Sequence, residues 1–301
     1  MAKSPTESSL PPEQSELKRV VSTFLQSRIA TLGALVFILF ILVAILAPVL
    51  APHDPALQDL SRRLAPPIGL GMEKASPEFP LGNDNLGRDI LSRLLVGSRV
   101  SLVAGVCTIL LASSVGSLLG AAAGFYRGFL DNTVMRIVDI WMAFPSLLLA
   151  IAVGAALSPG LLNLVLALAL TNWVVYCRVV RAEVLSIRER DYVTSAQALG
   201  ASDLRIILLH ILPNVLAPIL VISTYQMGSV IIAEASLSFL GIGVQSIVPT
   251  WGGMLSDGRE FMRESWWLAT FPGIAISTVV LSVNWLGDGL RDALDPRLRG
   301  R

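Results

Sequence analysis

The chain has 301 residues, 53% of them hydrophobic and 15% charged, with a formal net charge of +1. Soluble domains carry about 25% charged residues, so this composition excludes an ordinary water-soluble globule. The near-neutral balance excludes a general electrostatic draw for nucleic acid. Two cysteines and two histidines, Cys107, Cys177, His53 and His210, are too few and too scattered for a disulfide framework or a metal-ligand spacing.

Residues 1–27 are polar and carry Lys18 and Arg19 close to the first apolar block. A short apolar region with a small-residue cleavage site is missing, so the segment reads as a disordered cytoplasmic tail rather than a cleaved signal. Ile29 to Ala47 has neither charge nor proline and approaches the ~20 residues needed to cross ~30 Å of hydrocarbon. Residues 52–95 form an extracytoplasmic segment before a second span, Val100 to Tyr126. Within that segment, Asp89 to Leu95 reads as a short interfacial helix with Asp89 and Arg93 paired at i,i+4. No charge occurs between Asp139 and Arg178, a stretch too long for one span and broken by Ser158, Pro159 and Gly160. It predicts two helices, over 137–157 and 161–180. A fifth span covers 215–236 and a sixth 266–287. The expected fold is an all-α membrane bundle of six helices over residues 28–290, with 291–301 a second cytoplasmic tail. Gly116, Gly120 and Gly124 form a small-xxx-small ladder suited to helix packing.

Lys and Arg set the orientation. With both termini inside, the inner segments hold 15 of the 23 Lys and Arg residues. The cytoplasmic segment 184–212 then carries the most structured pattern in the chain. Tyr192, Ala196 and Leu199 fall at i, i+4, i+7, while Leu204, Ile207, Leu208 and Ile211 fall at i, i+3, i+4, i+7. Each piece therefore has one apolar face. Gly200 suits a positive-φ stop for the first helix, Ser202 or Asp203 a cap for the second, and Pro213 its end. Two covers fit such a face: the chain's own membrane domain, or a separate soluble protein.

This loop resembles the EAA loop of ABC importer permeases, which begins Glu-Ala-Ala, places a glycine four residues after the second alanine and ends in Leu-Pro. The chain has Thr194, Ser195 and Ala196, then Gly200, then Leu212 and Pro213, with Thr194 in the glutamate's place. Pro80 to Asp89, Ala233 to Gln245, Pro249 to Gly252 and Gly287 to Arg297 are similar, in order, to segments of the C-type permeases of the dipeptide, oligopeptide and nickel importers. The resemblance implies a type I ABC importer permease fold. It implies that Ser195, Ala196, Leu199, Gly200, Ser202, Asp203, Leu204, Ile207, Leu208 and Pro213 belong to a coupling helix seated in an ATPase groove. It also implies the partners: a B-type permease subunit, two cytoplasmic ATPase subunits or a fused ATPase, an extracytoplasmic solute-binding protein and membrane lipid, with no nucleic acid. ATP and Mg would be bound by the ATPases, and no cofactor by this chain.

The chain has only three lysines, Lys3, Lys18 and Lys74. None follows a glycine, so it has no phosphate loop. Asp139 and Glu234 lie near span ends, where they either reach the interface, pair locally or serve function. Asn163, Asn172 and Asn284 suit either a polar pathway or interhelical hydrogen bonds. A stand-alone secondary transporter would show inverted repeats and broken helices around a midplane site. Neither is evident, and no catalytic constellation favours a membrane enzyme.

Overall fold

The computed structural model describes residues 16–69, 75–244 and 248–294. All named elements are helical: α1 (Glu16–Gln26), α2 (Arg28–Leu50), α3 (Ile90–Tyr126), α4 (Gly128–Met142), α5 (Ser146–Ala156), α6 (Leu161–Ile187), α7 (Asp191–Ala198), α8 (Asp203–Ile206), α9 (Leu212–Phe239), α10 (Trp251–Arg259) and α11 (Trp267–Leu294), with a 3-10 turn at Leu60–Arg62. Five stretches are long and apolar enough to span a membrane: α2, α3, α6, Asp203–Phe239 and α11. The pair α4 and α5, bent by 88°, is together long and apolar enough to be a sixth if the pair is one broken span.

The helices alternate between two ends. At the mouth end, the connection after α2 meets the start of α3 through His53 and Asp89, 3.2 Å apart. There too, Gly160 N donates to Gly243 O at 3.1 Å. At the loop end, α7 and α8 meet the end of α3, and Gly289 of α11 lies against Ala30 and Phe24. Residues 16 and 294 therefore share the loop end.

Close helix approach needs small residues, and the glycine ladder supplies it. A Cβ at Gly116 or Gly120 would strike the carbonyls of Trp173 and Cys177 on α6, and one at Gly124 would come within 2.9 Å of the Arg181 carbonyl. Glycine thus lets two backbones pack where larger residues would hold them apart. Both cysteines are free thiols, Cys107 exposed and Cys177 buried.

Several boundaries differ from the sequence expectation. Residues 16–26 form a helix rather than a disordered tail, because Phe24 has α11 to pack on; residues 1–15 lie outside the described residues. The expected interfacial helix and second span are one helix of 37 residues, with no break at Val100. Asp89 is its N-cap, accepting from Leu91 N and Ser92 N, so it does not pair with Arg93. Arg93 instead turns to Asp84 and Asp257, at 3.5 and 3.7 Å. Pro145 lacks an N–H and follows the bend that ends α4, so the helix expected over 137–157 is broken. Pro213 does not end a helix. It occupies the first turn of α9, where no intrahelical N–H is needed, and a π-helical turn, Ile207–Ile211, carries α8 into it. The sixth helix runs through residue 294, beyond the expected boundary at 287. The rest of the expected C-terminal tail, residues 295–301, lies outside the described residues.

Candidate functional site

The loop end carries a rigid bracket. The Gly200 N–H donates to Gln197 O at 2.9 Å and the Ala201 N–H to Ala196 O at 3.1 Å. This paired closure is a Schellman motif, and it needs the left-handed backbone that Gly200 adopts at φ +80°. Ser202 then caps α8 through its backbone conformation, with no side-chain cap bond.

Two faces of this bracket have different surroundings. Val193, Ile206, Ile207 and Ile211 are buried against Ala121, Phe125, Val180, Val184 and Ile187, with Ala196 and Ala201 packed beside them. Leu199, Leu204 and Leu209 point away and are 88%, 65% and 60% exposed. Leu208, Ser195, Asp203 and Pro213 are exposed with them. The expected apolar face is therefore split. Ile207 belongs to the chain's own core and has no surface to offer a partner. Successive helical residues stand about 100° apart, so Ile206 and Ile207 fall on the inward side while Leu204 and Leu208 fall on the outward side.

Charged side chains tie the bracket to the bundle. Arg188 donates to the Phe125 carbonyl and lies over that ring, 5.8 Å from its centroid. Arg127 pairs with Glu189 at 2.5 Å. Arg181 holds Asp131 with both Nε and Nη2, the latter at 2.6 Å, joining α6 to the first turn of α4.

The candidate pathway residues do not form one site. Asn163 is half-buried near the mouth end, donating to Ser158 O at 2.8 Å. Asn284 lies beside Gly228, its Oδ1 3.3 Å from where a Cβ would stand. Glu234 is fully buried and accepts from Ser101 and Ser238, both at 2.9 Å. It thereby clamps α9 to α3 inside the bundle. Asp139 pairs with Arg178 at 2.9 Å. Asn172 borders a cavity of 250 Å³ between α5, α6 and α9, whose lining also includes Ser146, Ser229 and Ser236. Its Oδ1 accepts from Gln226 at 2.8 Å.

At the mouth end the segment Pro80 to Asp89 is a fixed turn. Asp84 Oδ1 accepts from Leu86 N and Arg88 N, at 2.8 and 2.9 Å. Gly87, at φ +77°, abuts the Asp59 carbonyl, leaving no room for a Cβ. Arg88 bridges Asp84 and Asp257 at 2.6 and 3.0 Å.

Residues 116–300 match the family profile described as binding-protein-dependent transport system inner membrane component, and residues 15–67 that of the N-terminal transmembrane domain of oligopeptide transport permease C. The chain belongs to the inner-membrane components of binding-protein-dependent transport systems. Relatives of this permease component include the di/tripeptide transport system permease protein of Pseudomonas aeruginosa, 43% identical over 95% of this chain and 93% of its own. The dipeptide transport system permease protein of Haemophilus influenzae is 44% identical over 92% and 93% of the two chains. The glutathione transport system permease protein of Pectobacterium atrosepticum is 42% identical over 92% and 89%.

Sequence reasoning missed two groups in this permease component. Val193 and Ile206 are the inward anchors of the bracket, and only the rotation of its helices against α3 and α6 shows this. Asp257 completes the Asp84 and Arg88 cluster from 169 residues away. The i,i+4 spacing of Asp84 and Arg88 was visible, but nothing local marks their third member.

Proposed function

We propose that this chain forms half of the translocation pathway of an ATP-driven importer for dipeptides or oligopeptides, and that the α7–α8 bracket couples it to cytoplasmic ATPases. The observation that carries the reading is the outward apolar face of Leu199, Leu204, Leu208 and Leu209 on a bracket whose other face is anchored. Ser195, Gly200, Ser202 and Asp203 border that face. A stand-alone carrier has no use for it, since exposed apolar residues at a water-facing end cost free energy until a partner covers them. The excess of Lys and Arg at the loop end supports a cytoplasmic placement of α7, α8 and both termini.

In this reading two ATPase subunits bind ATP and Mg, and their closure moves α7 and α8. Because Arg188 and the Arg127–Glu189 pair fasten the root of the bracket to the end of α3, and Arg181 joins α6 to α4, that movement reaches the helices around the Asn172 cavity. A distinct B-type permease supplies the other half of the pathway, and an extracytoplasmic binding protein delivers cargo. The relatives' names support peptide cargo. The test is uptake by proteoliposomes holding this chain with the neighbouring permease, ATPase and binding-protein products. ATP-dependent, binding-protein-dependent accumulation of labelled dialanine is expected. Uptake by this chain alone, driven by an ion gradient, would overturn the reading.

A further inference from the structure

A cavity of 520 Å³ opens at the mouth end between the first turn of α3, the α5–α6 turn, the end of α9 with Gly241 and Val244, and Val248 with α10. Its volume lies within the ~300–1,000 Å³ typical of small-molecule sites. Arg93, Pro159, Thr250, Gly253, Ser256 and Asp257 are among its lining residues. Arg93 is itself 3% exposed at its side chain, whereas Asp257 is 42% exposed. The charge accessible in this cavity is thus chiefly a carboxylate.

That carboxylate is set in place. Arg88 and Arg93 both approach its Oδ2, at 3.0 and 3.7 Å, and both arginines are held from behind by Asp84 at 2.6 and 3.5 Å. Among the described residues no hydrogen bond reaches Asp257 Oδ1. Ser256 is its chain neighbour, and Thr250 Oγ1, which accepts from Gly253 N at 3.0 Å, keeps a second lone pair. The cavity thus offers an exposed carboxylate with an uncommitted oxygen, and Thr250 and Ser256 hydroxyls in the same lining. It suits a primary ammonium, which brings three N–H donors and one positive charge.

We propose that this cavity is an ammonium subsite that receives the free amino terminus of an incoming peptide, with Asp257 as its charged acceptor and Ser256 and Thr250 as neighbouring acceptors. The inference rests on the peptide-importer reading and adds to it the group by which this subunit engages cargo. Arg88 and Arg93 are positioning residues: their pairing through Oδ2 fixes the carboxylate and leaves Oδ1 for a ligand.

The test uses the complete importer in nanodiscs, with Cys107 and Cys177 replaced by alanine and Ser256→Cys as the reporter. The rate of thiol modification by a small methanethiosulfonate reagent is measured without peptide, with dialanine and with N-acetyl-dialanine. Dialanine is expected to slow modification and the acetylated peptide, which lacks the ammonium, to leave it unchanged. Asp257→Asn preserves shape and an acceptor for Arg88 but removes the charge, and should abolish the protection. Equal protection by both peptides, protection by neither, or protection that survives Asp257→Asn would overturn the proposal. The acetylation arm needs no change at Asp257, so a misfolded variant does not blunt the test. The uptake assay separates the two readings: an importer that accumulates dialanine yet shows no protection loses only this subsite.

Discussion

Leu204 and Ile206 lie two residues apart on the same short helix, yet the structure assigns them opposite consequences when replaced by aspartate. Leu204 is 65% exposed, so Leu204→Asp changes the subunit's own stability by no more than ~0.5 kcal/mol, as for other surface sites. In a docked complex the same side chain buries about two-thirds of its surface, a contribution of about 1–2 kcal/mol from the full-burial value for leucine. Placing an unpaired carboxylate in that contact adds about 2 kcal/mol or more of desolvation. The sum, about 3–4 kcal/mol, weakens ATPase docking by roughly 100-fold or more. Ile206 is 0% exposed and packs against Phe125, Val184 and Ile211. Losing a buried isoleucine costs about 2–5 kcal/mol before the buried charge is counted, which rivals the whole stability of a typical domain. Leu204→Asp should therefore reach the membrane at normal levels but lose its ATPase subunits on purification, together with peptide uptake. Ile206→Asp should fail to accumulate. Quantitative blotting of membranes and of affinity-purified complexes reads both. If Leu204→Asp keeps its ATPases and its uptake rate, the outward face is not the coupling surface.

Gly200→Val meets no neighbour within 4 Å but forces a Cβ onto a φ of +80°, a strain of about 1–2 kcal/mol. It should lower peptide-stimulated ATP hydrolysis with little loss of protein, and an unchanged stimulated rate would argue against a fixed bracket. Ala201→Cys should resist an impermeant thiol reagent applied outside intact cells while Leu57→Cys, 63% exposed at the mouth end, is labelled; the reverse pattern would invert the orientation. Gly120→Val should collide with the Cys177 carbonyl and separate α3 from α6, so detergent-solubilised protein should lose thermal stability by several degrees or fail to accumulate. The purified chain alone, lacking a phosphate loop, should hydrolyse no ATP; activity that co-elutes with it through successive columns would refute this.

The sequence by itself determined the features that are local or additive. Span number follows from the length of uncharged runs, because hydrocarbon thickness is fixed and each buried charge is costly. The glycine ladder on α3 and the positive φ at Gly200 were legible because only glycine permits either geometry cheaply. Tertiary structure decided what depends on orientation and on distant partners. Leu208 and Ile207 are adjacent and both apolar, and their separation into surface and core follows from which side of the helix meets α3 and α6, a rotation that hydropathy does not encode. The 88° bend between α4 and α5 arises where Pro145 interrupts the helix, whereas the hydrogen bond from Trp141 Nε1 to Leu170 O, 2.8 Å long, that ties the end of α4 to α6 exists only in the folded bundle. Asp257 came to Arg88 and Arg93 across most of the chain. A one-dimensional pattern fixes which segments enter the membrane, whereas the rotation of each helix minimises the sum of contacts with all its neighbours, and that sum exists only in the folded bundle.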